Sequence, residues 1–325
     1  MKKVLISAGA SLAESIQIQA VVKAFRKLGF NPVYLRYWHK RLPKGVNISK
    51  LYPIALLNGE KLFLAAKKKR PDLVLVLKGE TFLPGSIARI KKLGIRTANW
   101  TVDDVFGVHN PFNRIVNIAE YDYAFSYDRY CVEELKMRGL NAHYLPCAAD
   151  PDVYKEMPEI KPKYDVTFLG GHDKDREKIL SQLLNFDLHI WGRGWLRGVK
   201  RTSPLYPHIH KEASYGVEMP KILNQSRITL NIHNKQSILS TNFRTFEALA
   251  CRTFLLSDYN KELENLFQLD KELVCYRNIE ELKRLIRYYL NNEEERERIA
   301  EAGQEKVHKE NTTIHRIKRL MYTLL

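Results

Sequence analysis

The sequence predicts an α/β protein made of two doubly wound, Rossmann-like domains that face each other across a cleft. Three observations carry this prediction. Short apolar runs of strand length alternate with amphipathic segments along the first half, as a parallel sheet with crossover helices requires. The stretch 146–162 then breaks the rhythm with four prolines, which suits an interdomain connection. After it the alternation resumes, and 325 residues give each domain room for its own core.

In the first domain the runs at 3–7, 32–37, 73–78, 96–101, 123–126 and 142–145 read as strands. Helical patterns cover 13–28, 59–69, 84–93 and 128–138, three of them ending at Gly29, Gly94 and Gly139, as helix C-termini prefer. In the second domain the strands are expected at 164–169, 187–191, 228–232, 253–257 and 273–276. Its helices are expected at 175–184, 220–225, 241–250, 261–267, 279–290 and 293–309. Residues 312–325 read as a terminal amphipathic helix. The division this implies is 1–155, 156–308 and a terminal helix 309–325 that packs back toward the first domain. No internal repeat or low-complexity segment is visible.

Composition narrows the classes. A hydrophobic fraction of 45% fits a globular protein, and no apolar run reaches the roughly 18 residues that span a bilayer. The opening Met1-Lys2-Lys3-Val4-Leu5-Ile6-Ser7 reads as a strand leading to a glycine turn rather than a signal peptide, so a cytoplasmic protein is expected. Cys131, Cys147, Cys251 and Cys275 form no C-x-x-C pair, which argues against a zinc knuckle or a disulfide framework. The net charge of +16 implies attraction to polyanions: nucleotide-linked substrates, an anionic membrane surface at the inner face, or nucleic acid. Runs such as Glu293 to Arg298 equally suit a heat-adapted, thermostable protein. No amphipathic membrane anchor stands out along the chain.

The residues that carry chemistry fall in loops after strands, where doubly wound folds grip ligands. Gly9, Gly79 after Lys78, Asp103 and Asp104, Gly170 to His172, Gly192 to Gly194, and His233 all lie in such places. The most pointed segment is 240–251. Ser240, Thr241 and Asn242 are cap-forming residues, so a helix opening there offers backbone N–H groups and its positive dipole end to an anion. Arg244 and Glu247 share one face at i,i+3, setting a cation suited to phosphate oxygens beside a carboxylate suited to ribose hydroxyls. An intrahelical ion pair on a solvated face is the plainer reading of the same two residues.

Taken in order, Phe168-Leu169-Gly170 with Arg176, Trp191-Gly192-Arg193-Gly194-Trp195, Ile228 to Ile232, Asn242 to Cys251, Glu280-Glu281-Leu282 and Arg298 to Gly303 resemble a known family. So do Lys78-Gly79-Glu80 and Asn99 to Asp104 in the first domain. The family is the GT-B glycosyltransferases, in particular the group named after the spore maturation protein CgeB. The resemblance implies transfer of a sugar from a nucleotide-diphosphate donor, most simply UDP-linked, to a polysaccharide, protein or lipid acceptor. It implies no metal and no further cofactor. The donor would meet Gly170, His172, Arg176, Trp191, Gly192, Arg193, Tyr215, Gly216, Val217, His233, Thr241, Asn242, Arg244 and Glu247, with Glu247 on the ribose. Gly9, Lys78 and Glu80 would line the acceptor side, and Asp103 or Asp104 would act as general base if the enzyme inverts.

Two positions depart from the family pattern. Arg252 stands where a glycine usually follows the donor helix, so the local turn is expected to differ, and Leu239 replaces the first glutamate of the usual pair. Plainer readings also exist elsewhere. Asp103-Asp104 could cap a helix, His172 and His233 could be loop residues, and Trp191 and Trp195 could be core aromatics. Asp173-Lys174-Asp175 reads as a helix start rather than a metal motif, and His208-Ile209-His210 lacks visible partners for a metal. A nucleic-acid-binding or DNA-modifying protein and a non-catalytic nucleotide-binding homologue are the other classes the chain admits.

Overall fold

The structure is a computed structural model, and it describes residues 2–9, 12–38, 52–79, 81–106, 114–210, 218–234 and 239–324. Two compact units divide the chain. One comprises Met1–Pro146, Gln236–Leu239 and Thr313–Leu325; the other comprises Cys147–Lys235 and Ser240–Thr312.

The first unit is built on a six-stranded sheet of β1 (Lys3–Gly9), β2 (Asn31–Tyr37), β3 (Leu73–Leu77), β4 (Arg96–Thr101), β5 (Tyr123–Ser126) and β6 (Ala142–Tyr144), in the order β2-β1-β3-β4-β5-β6. All pairings are parallel. Unbroken apolar runs such as Leu-Val-Leu-Val-Leu in β3 belong to strands covered on both faces. Alternation then sorts the side chains. Val4, Ile6, Leu73 and Leu75 pack with Val21, Ala24 and Phe25 of α1 (Leu12–Lys27) and Ile317, Leu320 and Leu324 of the terminal helix (Thr313–Leu324). Leu5, Val74 and Val76 pack with Leu62 and Ala66 of α2 (Tyr52–Lys69) and Ile87 and Ile90 of α3 (Ser86–Lys91). Helices α4 (Arg114–Ala119) and α5 (Arg129–Met137) complete the unit.

The second unit has a five-stranded parallel sheet of β7 (Tyr164–Leu169), β8 (Leu188–Trp191), β9 (Ser226–Asn231), β10 (Phe254–Asp258) and β11 (Val274–Tyr276), in the order β11-β10-β9-β7-β8. Its helices are α6 (Lys174–Leu180), α7 (Trp195–Gly198), α8 (Glu218–Asn224), α9 (Phe243–Ala250), α10 (Lys261–Leu266), α11 (Ile279–Asn291) and α12 (Glu293–Glu310); the terminal helix is α13. Val166, Phe168, Leu230, Phe254, Leu256, Leu282 and Ile286 form the centre of its core.

Two local readings change. Helix α2 starts at Tyr52, seven residues before the expected 59, and Gly59 lies inside it. Gly59 is there because Ser86 of α3 leaves no space for a Cβ, not because the helix begins. The turn after α9 is also not rearranged. Arg252 adopts the left-handed conformation that glycine would, with φ of 58°. Its side chain makes ion pairs with Glu156 at 2.9 Å and Glu301 at 3.7 Å, which offset the strain.

Candidate functional site

In the second unit the strand order reverses between β7 and β9, so the loops leaving the carboxyl ends of those strands flank the switch point where such sheets bind ligands. Arg176, near the start of α6, ties the two loops together. Its Nη1 donates to Gly171 O (2.9 Å), while Nε and Nη2 donate to Ile232 O (3.0 and 2.7 Å). Burial pulls the Arg176 pKa below its ordinary value, against the opposing pull of Asp173 and Asp258. Asp173 caps α6 by accepting from the Arg176 amide at 2.9 Å, so this acidic pair starts a helix.

Past β9 runs an ordered chain of hydrogen bonds. His233 donates from Nδ1 to Asp258 at 2.6 Å, and its backbone N–H also reaches that carboxylate. In the tautomer with Nδ1 alone protonated, Nε2 accepts from the Thr241 hydroxyl at 3.0 Å. Thr241 accepts in turn from Thr245 (2.6 Å), which accepts from Asn231 Nδ2 (3.1 Å). Asn242 Nδ2 closes the set by donating to Asn231 Oδ1 at 3.0 Å. All of them except Asn242, His233 and Asp258 are buried.

Asn242 occupies the N-cap position of α9 in extended backbone, but its side chain makes no cap bond, and its Oδ1 is buried without a partner. The side chain of Asn242 therefore does not form the cap that its residue type suggested. Arg244 donates through Nε to Leu169 O (3.1 Å) and through Nη1 to Glu247 (2.7 Å). Both side chains are largely buried, at 14% and 7% exposed, so this is not a solvated surface pair. The Tyr154 hydroxyl also donates to Glu247. Burial and the Glu247 charge push the Tyr154 pKa far up, and the phenol stays a donor. Tyr154 lies in the proline-rich connection, where nothing in the sequence marked it as a site residue.

The remaining donor-side candidates surround this centre. His172 bonds Glu177 at 2.8 Å and packs edge-on against Trp195, whose Nε1 donates to Gly170 O at 2.8 Å. Trp191 is buried and stacked on His210 at 3.8 Å. Gly192 comes so close to Gly170 O that any Cβ would collide with it, which is how the β7 and β8 loops lie together. Arg193 is exposed and accepts from the His172 amide through its carbonyl. Tyr215, Gly216 and Val217 lie outside the described residues.

The first unit gathers its candidates at the carboxyl edge of its own sheet. Gly9 ends β1, and Lys78, in left-handed backbone with φ of 65°, forms an ion pair with Asp103 at 3.0 Å. Asp104 accepts from the Phe106 amide at 2.8 Å, a local turn bond of the kind that the capping reading anticipates. Glu80 lies outside the described residues. Asp128, which the sequence did not single out, is buried and accepts from the amides of Tyr130 and Leu239. Leu239, at the position of the missing glutamate, is thus held through its backbone. Among the described residues no group of three or more histidine, cysteine or acidic side chains is placed to hold a metal ion, and no helix is long and apolar enough to cross a membrane.

Solved structures of the same architecture cover almost the whole chain. A sucrose-phosphate synthase from Thermosynechococcus elongatus superposes with a TM-score of 0.69 at 11% identity, covering 98% of each chain. Anabaena HepE, solved in complex with UDP and glucose, has a TM-score of 0.69 at 10% identity and covers 100% of this chain and 99% of its own. A candidate UDP-N-acetylglucosamine 2-epimerase from Listeria monocytogenes has a TM-score of 0.65 at 12% identity, covering 100% and 96%. These likenesses show the fold, which is GT-B. No curated protein matches the chain in sequence. Residues 176–322 match the family model described as glycosyl transferase-like, a stretch that opens with Arg176 in α6 and contains the whole of α9.

Proposed function

We propose that this protein is a glycosyltransferase that moves a sugar from a UDP-linked donor to a polysaccharide, protein or lipid acceptor without a metal ion. One observation carries the reading: the N-terminus of α9 lacks a side-chain cap, and the buried Arg244–Glu247 pair lies one turn away. A diphosphate suits the helix end and Arg244, and ribose hydroxyls suit the Glu247 carboxylate, which also accepts from Tyr154 and Arg244. Arg176, committed to two backbone carbonyls, shapes the loops and contributes its charge. The match over 176–322 supports the reaction class, and UDP in the HepE complex supports the donor type. Asp103 and Asp104 are the acceptor-side carboxylates in this reading, with Lys78 orienting Asp103. The CgeB-like group is the subfamily we favour, on the sequence resemblance.

The same fold also hosts an epimerase, so the test must separate the two reactions. Purified protein is incubated with UDP-glucose or UDP-N-acetylglucosamine and a candidate acceptor, and the nucleotides are resolved by chromatography. Acceptor-dependent release of UDP in the presence of a chelator supports transfer. An isomerised sugar nucleotide with no free UDP would replace this reading with epimerisation.

A further inference from the structure

Helix α2 is apolar on two opposite sides, and among the described residues only one of them packs within its unit. Ala55, Asn58, Gly59, Leu62 and Ala66 face the sheet and are buried. On the other side Leu56, Leu57 and Leu64 are 47%, 67% and 59% exposed, with Tyr52 exposed beside them. The remaining exposed leucines of the described chain, Leu196 and Leu239, are far away in sequence. Basic residues border this apolar strip. Lys61, Lys67, Lys68, Lys69 and Arg70 are all exposed.

The acidic groups nearby do not neutralise that charge, because each is already committed. Glu60 pairs with Arg89, Asp122 with Lys91, and Glu120 accepts from the amides of Ile87 and Ala88 at the start of α3.

We infer that the outward side of α2 docks this protein on an anionic phospholipid surface, its leucines reaching the acyl boundary and its lysines the headgroups. Leucine and aromatic residues flanked by lysine are the composition of helices that lie in a membrane interface. Phosphate groups of a nucleic acid would satisfy the lysines but give the leucines nothing. The sequence conceals the feature because apolar residues on both sides of one helix cancel the amphipathic pattern. This inference concerns the first unit and stands apart from the donor site of the second.

The test is sedimentation of the full chain with phosphatidylcholine vesicles, with and without phosphatidylglycerol. The inference expects binding to the anionic vesicles only, weakened by salt. Leu57→Gln/Leu64→Gln and, separately, Lys67→Glu/Lys68→Glu should each weaken it by at least about tenfold. Arg197→Glu/Lys200→Glu, an exposed basic pair in the other unit, should leave it unchanged. All these positions are exposed, and calorimetric UDP binding by each variant shows whether the donor site is intact. Absence of binding at low salt, unchanged binding by the leucine variant, or equal loss in the Arg197/Lys200 control would overturn it. So would light scattering that shows a wild-type dimer dissociated by the leucine variant, because the face would then belong to a second copy of the chain.

Discussion

His233 and Asp258 meet at 2.6 Å, and this contact opens a chain of hydrogen bonds that runs from β9 to the first turn of α9. Beyond the ring, Nε2 lies 3.0 Å from the Thr241 hydroxyl, and Thr245, Asn231 and Asn242 continue the chain. The contact therefore positions the N-terminus of α9. Asp258→Asn removes the carboxylate that accepts from both the ring and the backbone of His233. It should weaken UDP binding about tenfold, or about 1.4 kcal/mol, while the protein stays folded. Titration calorimetry on the variant, with a melting curve as control, reads both.

Tyr154 tests whether Glu247 depends on its support. Tyr154→Phe removes one hydrogen bond to a buried carboxylate and should cost about 1.5–3 kcal/mol in unfolding free energy. Denaturant titration measures this, and UDP affinity should fall with it. A loss below about 0.5 kcal/mol would mean that Glu247 is adequately held by Arg244 alone.

Arg252 separates backbone strain from ion pairing. Arg252→Ala keeps a side chain at φ of 58° and loses Glu156, whereas Arg252→Gly loses the pair but removes the strain. The glycine variant should be more stable than the alanine variant by about 1 kcal/mol. Equal stability would show that the turn relaxes once the side chain is gone.

Acid should weaken the fold before the carboxylates titrate. His210 is held below its ordinary value of 6.5 by burial, then by His189 and Lys163, and His143 is lowered by burial, then by Lys136 and Arg319. A histidine with a lowered pKa stays neutral in the folded protein while the unfolded chain takes up a proton. Stability is thus complete above about 6.5 and falls as pH drops through that value toward the folded pKa. Asp72 and Asp122, held below 3.8, lose their contribution only at lower pH. Urea midpoints at pH 7.5 and 5.0 should differ, and His210→Gln/His143→Gln should narrow the difference.

Much of the architecture was legible because its signals are local. The apolar run of β3 and the alternation from β1 to β6 mark strands buried on both faces, and Gly29, Gly94 and Gly139 mark helix ends with φ from 75° to 81°. The Arg244–Glu247 pair of α9 was legible from its i,i+3 spacing. What stayed hidden depends on tertiary contact. Tyr154 reaches Glu247 from the proline-rich connection, Asp258 reaches His233 from 25 residues away, and Gly59 answers to Ser86 of another helix. Asn242 looked like a cap by residue type, but its side chain serves Asn231 instead.

The most direct measurement is titration calorimetry of UDP into the wild type, Arg244→Ala and Glu247→Ala, with chelator present. The account predicts metal-independent binding by the wild type and a loss of about tenfold or more in each variant, with melting curves that remain cooperative. Wild-type affinity in both variants would contradict the assignment of this site.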